Sequence, residues 1–120
     1  MHHAIGLYVH ITWHTKWRQP SIRRENVAVI ATAVLSAARR TRVRVHAQAA
    51  LNDHVHVLLS FPPDATISAF VREAKSESAR RTKLQLCRGF YAGTLGRHQV
   101  RAARIYIGDQ FNQHPDRIPE

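Results

Sequence analysis

The chain has 120 residues and a mass of 13.7 kDa, which fits one compact domain, because domains cluster near about 100–150 residues. Apolar residues make up 44% and charged residues 22%, which is ordinary globular usage and argues against a disordered tail or a disulfide scaffold. Eighteen Lys and Arg against eight Asp and Glu give a formal net charge of +10. We therefore predict a single domain over residues 1–120 that binds an anionic partner, with nucleic acid the leading class.

Three features bear on the cellular location. No apolar run approaches the roughly 20 residues that a membrane-spanning helix needs, so we expect no membrane partner. The opening residues, MHHAIGLYVH, lack the basic segment and the cleavage-like site of a secretory signal. The single cysteine, Cys87, has no intrachain partner and fits a reducing compartment. We expect a cytoplasmic protein.

The first half of the chain predicts a strand, a helix and two further strands. Alternating apolar and polar residues predict the first strand over 5–14, and apolar residues at helical spacing predict a helix over about 21–40. Alternation over 43–49 predicts a second strand, and an Asn-Asp turn precedes a third strand over 54–61. The β-branched residues of the third strand are typical of a central position in a sheet.

The second half predicts two helices with a short strand between them. Thr66 is a suitable N-cap for the second helix, 90–95 is a fourth strand, and 97–113 is a third helix followed by a frayed tail. The order β-α-β-β-α-β-α begins with the six elements of the ferredoxin-like arrangement. We predict an α+β fold in which two helices back a four-stranded antiparallel sheet and the third helix crosses its other face.

Two histidines of the third strand are candidate metal ligands. Residues at i and i+2 of a strand share a face, so His54 and His56 point away from Val55 and Val57, which belong against the helices. The histidines then point towards the third helix. The exposed face of an edge strand carries polar residues in the same pattern, and this alternative stays open.

The third helix carries a tyrosine and an amide one turn apart. Tyr106 and Gln110 lie four positions apart, which places them on one helical face. A hydroxyl can attack a phosphodiester, and an amide oxygen is a metal ligand that adds no negative charge beside phosphate. Tyr91 is the rival nucleophile, although no residue of metal-ligand type lies four positions after it. Gly108 predicts a flexible point, since glycine costs roughly 1 kcal/mol in a helix interior.

At these residues the chain resembles the IS200/IS605-like single-tyrosine transposases of the HUH endonuclease superfamily, including their REP-associated relatives. The similarity rests on DHVHVLLSFPPDATISAFVREAKSESARR, on YIGDQ, on ITWHTKWRQ and on FYAGTLG. His-x-His or Tyr-x-x-x-Gln alone is commonplace, whereas their joint occurrence in this order is specific.

The resemblance implies an enzyme that cleaves and rejoins single-stranded DNA through a 5′-phosphotyrosine. It implies that His54, His56 and Gln110 bind a divalent metal ion, Mg²⁺ or Mn²⁺, and that Tyr106 is the nucleophile. DNA hairpins are the implied binding targets. The implied assembly is a homodimer, in which the tyrosine acts in its own chain or in the other, within the cytoplasm of a prokaryotic cell.

Eight further residues are expected to contact DNA. A basic turn follows the first strand, the second helix carries several cations, and an arginine opens the third helix; on a domain of this charge they are candidate phosphate contacts. The tryptophan of the basic turn can stack on a base, although packing against the domain is its more common role. These residues are Lys16, Trp17, Arg18, Arg72, Lys75, Arg80, Arg81 and Arg97.

Two functions without cutting stay open. A domesticated or decayed family member would hold DNA hairpins without nicking them. A ferredoxin-like RNA-binding module would carry aromatic residues on its central strands for base stacking, where this chain has His54 and His56.

Overall fold

The computed structural model describes residues 7–120. Within them the strands are β1 (Tyr8–His14), β2 (Arg44–Ala50), β3 (His54–Ser60) and β4 (Tyr91–Leu95). The α-helices are α1 (Arg24–Thr41), α2 (Ile67–Thr82), α3 (Val100–Gly108) and α4 (Gln110–Gln113), and short 3₁₀ turns cover Lys16–Arg18, Arg97–Gln99 and Pro115–Arg117. The predicted α+β fold is confirmed, while the first two residues of the predicted first strand lie outside the described residues.

The four strands form one antiparallel sheet in the order β2-β3-β1-β4. In the register of β1 with β3, His14 lies opposite His54 and Thr12 lies opposite His56. Because β3 has a neighbour on each side, it is the central strand that its β-branched residues predict. The alternative that His54 and His56 sit on an edge strand is therefore wrong.

One face of the sheet packs against α1 and α2. Val55, Val57 and Leu59 of β3 are buried in one apolar cluster with Val34 of α1 and Phe70 of α2, among other residues. The cluster contains alternate residues of each central strand, as expected when a layer of helices packs on one face of a sheet. This packing directs the residues between them, including both histidines, to the opposite face.

The second helix begins where the sequence predicts it. The Thr66 hydroxyl accepts a hydrogen bond from the Ala69 backbone N–H at 3.3 Å, which satisfies one of the free donors of the first turn. The helix ends at Thr82, and Lys83 after it adopts a left-handed conformation with φ 65°.

The other face of the sheet is covered by α3, which packs against β2 and β3. The predicted helix over 97–113 is interrupted, however, because α3 ends at Gly108 and the backbone turns at Asp109 before the single turn of α4. Glycine is a weak helix former, and the Asp109 carboxylate accepts a hydrogen bond from the Asn112 side chain at 2.7 Å. Both features favour a break at this point.

The residues after α4 are held against the sheet rather than frayed. The Asn52 backbone N–H donates to the Arg117 carbonyl oxygen at 2.8 Å, and the Arg117 guanidinium lies 3.6 Å from an Asp53 carboxylate oxygen. The prediction of a frayed tail is therefore wrong. These contacts join residues more than 60 positions apart, and local sequence patterns do not predict such contacts.

Residues 7–120 contain no helix with the length and hydropathy that a bilayer crossing requires.

The break after Gly108 generates a stability prediction. A Cβ added at Gly108 would meet no atom within 4 Å, so alanine is accommodated without strain. We expect Gly108→Ala to raise the free energy of unfolding by roughly 0.5–1 kcal/mol, because alanine loses less backbone entropy on folding. Urea denaturation measures this. A lower free energy of unfolding, with an unchanged slope against urea concentration, would show that the break requires glycine.

Candidate functional site

Two imidazole rings converge on the α3 side of the sheet. The Nε2 atoms of His54 and His56 are 3.0 Å apart, and the two residues are only 6% and 7% exposed. Their positions two apart on β3 give them the same face, and α3 covers that face. The structure thus brings together the two histidines that the sequence singles out.

An aspartate orients the first histidine. The Asp53 carboxylate accepts a hydrogen bond from Nδ1–H of His54 at 2.6 Å, so Nε2 of the neutral ring carries the lone pair. Burial raises the pKa of Asp53, but the hydrogen bond from His54 and the positive charges of Arg117 and Arg18 together lower it below its usual range. The sequence analysis uses Asp53 as a turn residue and within the DHVHVLLS segment that carries the resemblance, but it gives Asp53 no role at the site.

A third histidine contacts the second one from β1. Nδ1 of His56 lies 2.9 Å from Nε2 of His10 and 3.3 Å from the Thr12 hydroxyl. Burial above all, and then the neighbouring His54 and His10, lower the pKa of His56 to about 3. His56 is therefore neutral at physiological pH, which metal coordination requires. Alternation in the sequence places His10 on the polar face of the first strand, but its contact with His56 depends on the pairing of distant strands.

Gln110 supplies an unsatisfied oxygen at the same place. Its side chain is 1% exposed, and its Nε2 donates to the Tyr106 carbonyl oxygen at 3.0 Å. Its Oε1 is, among the described residues, the buried side-chain polar atom without a hydrogen-bond partner. The Gln110 amide also acts to raise the pKa of His56, although its Oε1 does not meet hydrogen-bond geometry with that ring. A buried oxygen left unpaired in this way calls for a ligand.

These donors fit a divalent metal ion. Within residues 7–120 no three His, Cys, Asp or Glu side chains cluster for metal binding, so a site here depends on the amide as its third donor. Two neutral imidazole Nε2 atoms and one unpaired amide oxygen form a mixed nitrogen and oxygen set, in which the imidazoles favour Zn²⁺ or Mn²⁺ over Mg²⁺ and the amide oxygen suits Mg²⁺ or Mn²⁺. The set carries no charge of its own and therefore does not repel a phosphate.

Tyr106 lies at the open edge of this cluster. Its ring centroid is 6.1 Å from that of His56 and 6.2 Å from that of His10, both in edge-on orientation, and the residue is 41% exposed. A partly exposed tyrosine thus accompanies the histidines of its own chain. Tyr91, opposite Thr12 on the edge strand β4, shares this face and is 67% exposed. No ring contact joins Tyr91 to His56 within the described part of the chain.

The basic turn lies at the same end of the sheet. Lys16, Trp17 and Arg18 form an exposed 3₁₀ turn directly after β1, and the Arg18 guanidinium hydrogen-bonds to the His14 ring. Trp17 is 80% exposed, so the expectation that it packs against the domain is wrong. The buried position of the turn is taken by Thr15 instead.

The cations of α2 are not brought to the histidines. Their helix packs against the opposite face of the sheet, where Arg81 forms an ion pair with Glu77 at 2.7 Å. Lys75 is half-buried and donates to the carbonyl oxygens of Cys87 and Gly89 at 2.6 and 2.8 Å, and burial lowers its pKa. The exposed cations, whose DNA contacts stay a prediction, are Arg72, Arg80, Arg81 and, in the turn before α3, Arg97.

The buried histidines generate a prediction for stability against pH. Because the pKa of His56 falls from 6.5 to about 3, the unfolded chain binds a proton between these values that the folded chain does not. Above about pH 6.5 His56 is neutral in both states, so the folded chain has its full stability there. As pH falls below this value, protonation of His56 in the unfolded chain lowers the free energy of unfolding. We expect the free energy of unfolding to decrease by about 1.4 kcal/mol per pH unit for each such proton.

Urea denaturation between pH 7 and pH 4 checks this prediction. In a plot of the free energy of unfolding against pH, His56→Gln should reduce the slope by the amount that corresponds to about one proton. The control His98→Gln, at an exposed position, should not change this slope. An equal slope in His56→Gln and the unmodified chain would contradict the assignment.

Comparison with known proteins agrees with this architecture. The family described as "Transposase IS200 like" matches residues 3–110. The transposase for insertion sequence element IS200 of Salmonella typhimurium is 24% identical over 117 residues, covering 87% of this chain and 76% of that protein, and its Salmonella typhi counterpart has the same values.

Two solved structures share the fold. A candidate transposase from Deinococcus radiodurans R1 superposes with a TM-score of 0.72 at 23% identity and covers 92% of this chain and 95% of its own. A REP-associated tyrosine transposase bound to a REP hairpin gives a TM-score of 0.78 at 18% identity, covering 95% and 72%. Because the family match spans most of the residues that build the sheet and the histidine cluster, the chain belongs to the IS200-like transposase family.

Proposed function

We propose that this transposase is a metal-dependent enzyme that cleaves and rejoins single-stranded DNA through a covalent link to Tyr106. The observation that carries the proposal is the unpaired, buried Oε1 of Gln110 near His56, whose Nε2 lies 3.0 Å from that of His54. His54, His56 and Gln110 would hold a divalent cation through these atoms, and the Tyr106 ring contacts His56.

The chemistry is a transesterification. The Tyr106 hydroxyl loses its proton and attacks a backbone phosphorus, the bond from phosphorus to the 3′ oxygen breaks, and that oxygen takes up a proton. The products are a 5′-phosphotyrosine and a free 3′-hydroxyl. Attack by another 3′-hydroxyl reverses the step and rejoins the strand, so no nucleotide cofactor is needed. The chemistry that the bound metal supplies is polarisation of the scissile phosphate.

The residues around the metal donors have distinct roles in this proposal. Asp53 holds the His54 ring with its Nε2 lone pair directed towards His56. His10 faces Nδ1 of His56, where a neutral imidazole can either donate or accept a hydrogen bond. The second ring can therefore present a lone pair at Nε2 as well. Edge-on contact with His56 and His10 orients Tyr106.

The DNA partner is proposed to combine a hairpin with a single strand. The related REP-associated transposase is bound to a REP hairpin, and a net charge of +10 suits a polyanion. Exposed Arg72, Arg80, Arg81 and Arg97 are proposed phosphate contacts. The proposal also includes one domain over 1–120, a homodimer and a cytoplasmic location. The RNA-binding alternative loses support, since α3 covers the sheet face on which bases would stack.

Loss of the tyrosine hydroxyl should abolish covalent chemistry. We expect Tyr106→Phe to reduce DNA–protein adduct with end-labelled hairpin oligonucleotides and Mn²⁺ at least about 1000-fold, because the attacking atom is gone. Tyr91→Phe, which removes a hydroxyl from the same sheet face, is the matched control and should stay within about twofold. Denaturing gels and peptide mass spectrometry give the yield and the linked residue.

Four outcomes separate the alternatives. An adduct on Tyr91 would move the nucleophile to β4, and hairpin binding without any adduct would indicate a binding protein that does not nick. Mixing Tyr106→Phe with His56→Ala tests where the tyrosine acts: recovered cleavage requires a tyrosine working across a dimer, whereas continued inactivity supports the arrangement within one chain.

Removal of the amide oxygen of Gln110 should weaken metal binding. This prediction is tested by a binding measurement that does not depend on cleavage. We expect Gln110→Met, which keeps the side-chain length, to weaken Mn²⁺ binding at least about tenfold in an electron paramagnetic resonance titration. Gln113→Met, an exposed change in the same short helix, should retain the affinity of the unmodified chain. Equal affinities in both variants, with folding verified by circular dichroism, would remove Gln110 from the metal site.

A further inference from the structure

Trp17 stands at the tip of the turn after β1 with most of its indole in solvent. The residue is 80% exposed, which is unusual for the largest apolar side chain. Trp17 and Arg18 adopt consecutive left-handed conformations with φ 59° and φ 53°. Bulky residues rarely occupy this region, and such backbone strain is concentrated at functional sites. The turn therefore presents the indole outwards at a conformational cost.

The base of the turn is anchored, so the indole is carried on a rigid support. The Thr15 backbone N–H donates to the Asp53 carbonyl oxygen at 2.9 Å, and its hydroxyl donates to the Gln19 carbonyl oxygen at 2.7 Å. The Lys16 N–H donates to the Gln85 carbonyl oxygen at 2.9 Å. These bonds tie the turn to the residue that precedes His54.

Open clefts flank the indole, and cations line both. One cleft of about 350 Å³ lies between Trp17, Lys16 and Lys83, and another of about 370 Å³ lies between Trp17, Lys16 and Arg88. Lys16 Nζ is 5.9 Å from the indole centroid. An aromatic face with cationic neighbours is the combination that binds a nucleobase and the phosphates beside it.

The turn is continuous with the histidine cluster. The Arg18 guanidinium contacts the His14 ring, and the His14 ring stacks on His54 with a centroid distance of 5.4 Å. The turn that carries Trp17 therefore adjoins the histidine cluster through Arg18 and His14.

We propose that Trp17 is a stacking platform for one unpaired base of the single-stranded DNA that enters the histidine site, with Lys16, Lys83 and Arg88 holding the adjoining phosphates. The inference rests on the proposed function, because it takes single-stranded DNA as the substrate. It adds a base-binding position outside the chemistry, and base stacking makes this position tolerant of sequence.

Tryptophan fluorescence tests the platform directly. The chain has two tryptophans, and Trp13 is buried in the core, so it is an internal reference for the exposed Trp17. Unlabelled mixed-sequence single-stranded 12-mers, free of metal, should quench the emission of the unmodified chain. They should leave the emission of Trp17→Phe, which retains only Trp13, nearly unchanged.

Affinity measurements add a matched comparison. We expect Trp17→Leu to weaken binding of the 12-mers about 5- to 150-fold, the range that loss of one base stack gives, at an unchanged salt dependence. Trp17→Tyr should restore most of the affinity, since it keeps an aromatic face. In a series of 12-mers that each carry one abasic site at a different position, one position should weaken binding to the unmodified chain. In Trp17→Leu, the abasic site at that position should no longer weaken binding.

Each outcome separates this inference from the proposed function. Binding without quenching, or with equal affinity in Trp17→Leu, would overturn the platform and leave the Tyr106 chemistry standing. Quenching with abasic sensitivity but no Tyr106 adduct on any hairpin would support the platform and overturn the proposed cleavage. Failure to bind any single-stranded oligonucleotide would overturn both.

Discussion

The antiparallel ladder between β1 and β3 is the constraint on which the site depends. Its register sets Thr12 opposite His56 and His14 opposite His54, and it brings His10 within hydrogen-bonding distance of the same ring. A slip of one residue would turn every side chain of the strand to the other face. Burial of the apolar residues between them against α1 and α2 opposes such a slip. The energy that holds the polar cluster in place therefore comes from the opposite, apolar side of the sheet.

Burial also sets the electrostatic character of the cluster. It lowers the pKa values of His10, His54 and His56, so the rings are neutral at physiological pH. The nearby carboxylate, Asp53, is engaged by His54 and Arg117. In the proposed function the metal donors are uncharged, which suits a site for a phosphodiester in a protein with a net charge of +10. Long-range attraction and local chemistry are thus supplied by different residues.

In the proposed function, the polar face of the sheet is a path for a single strand. Tyr106 stands at one edge of the histidine cluster, and the turn that carries Trp17 adjoins it through Arg18 and His14. The same residue, Asp53, orients His54 through its side chain and anchors the turn through its carbonyl oxygen. The spacing between the metal donors and the stacking platform is consequently fixed by short, direct contacts.

Local periodicity in the sequence is enough to predict several features of the fold. Alternation predicts that His54 and His56 share one face of their strand, helical spacing predicts that Tyr106 and Gln110 lie near each other, and the order of elements predicts the sheet. The tertiary structure decided what depends on contacts between distant segments. These are the roles of Asp53 and His10, the docking of Arg117, the exposure of Trp17 and the break after Gly108. The physical reason is that a side chain's periodicity reports the face to which it points, whereas its partners and its burial are set by the strands and turns that pack against it.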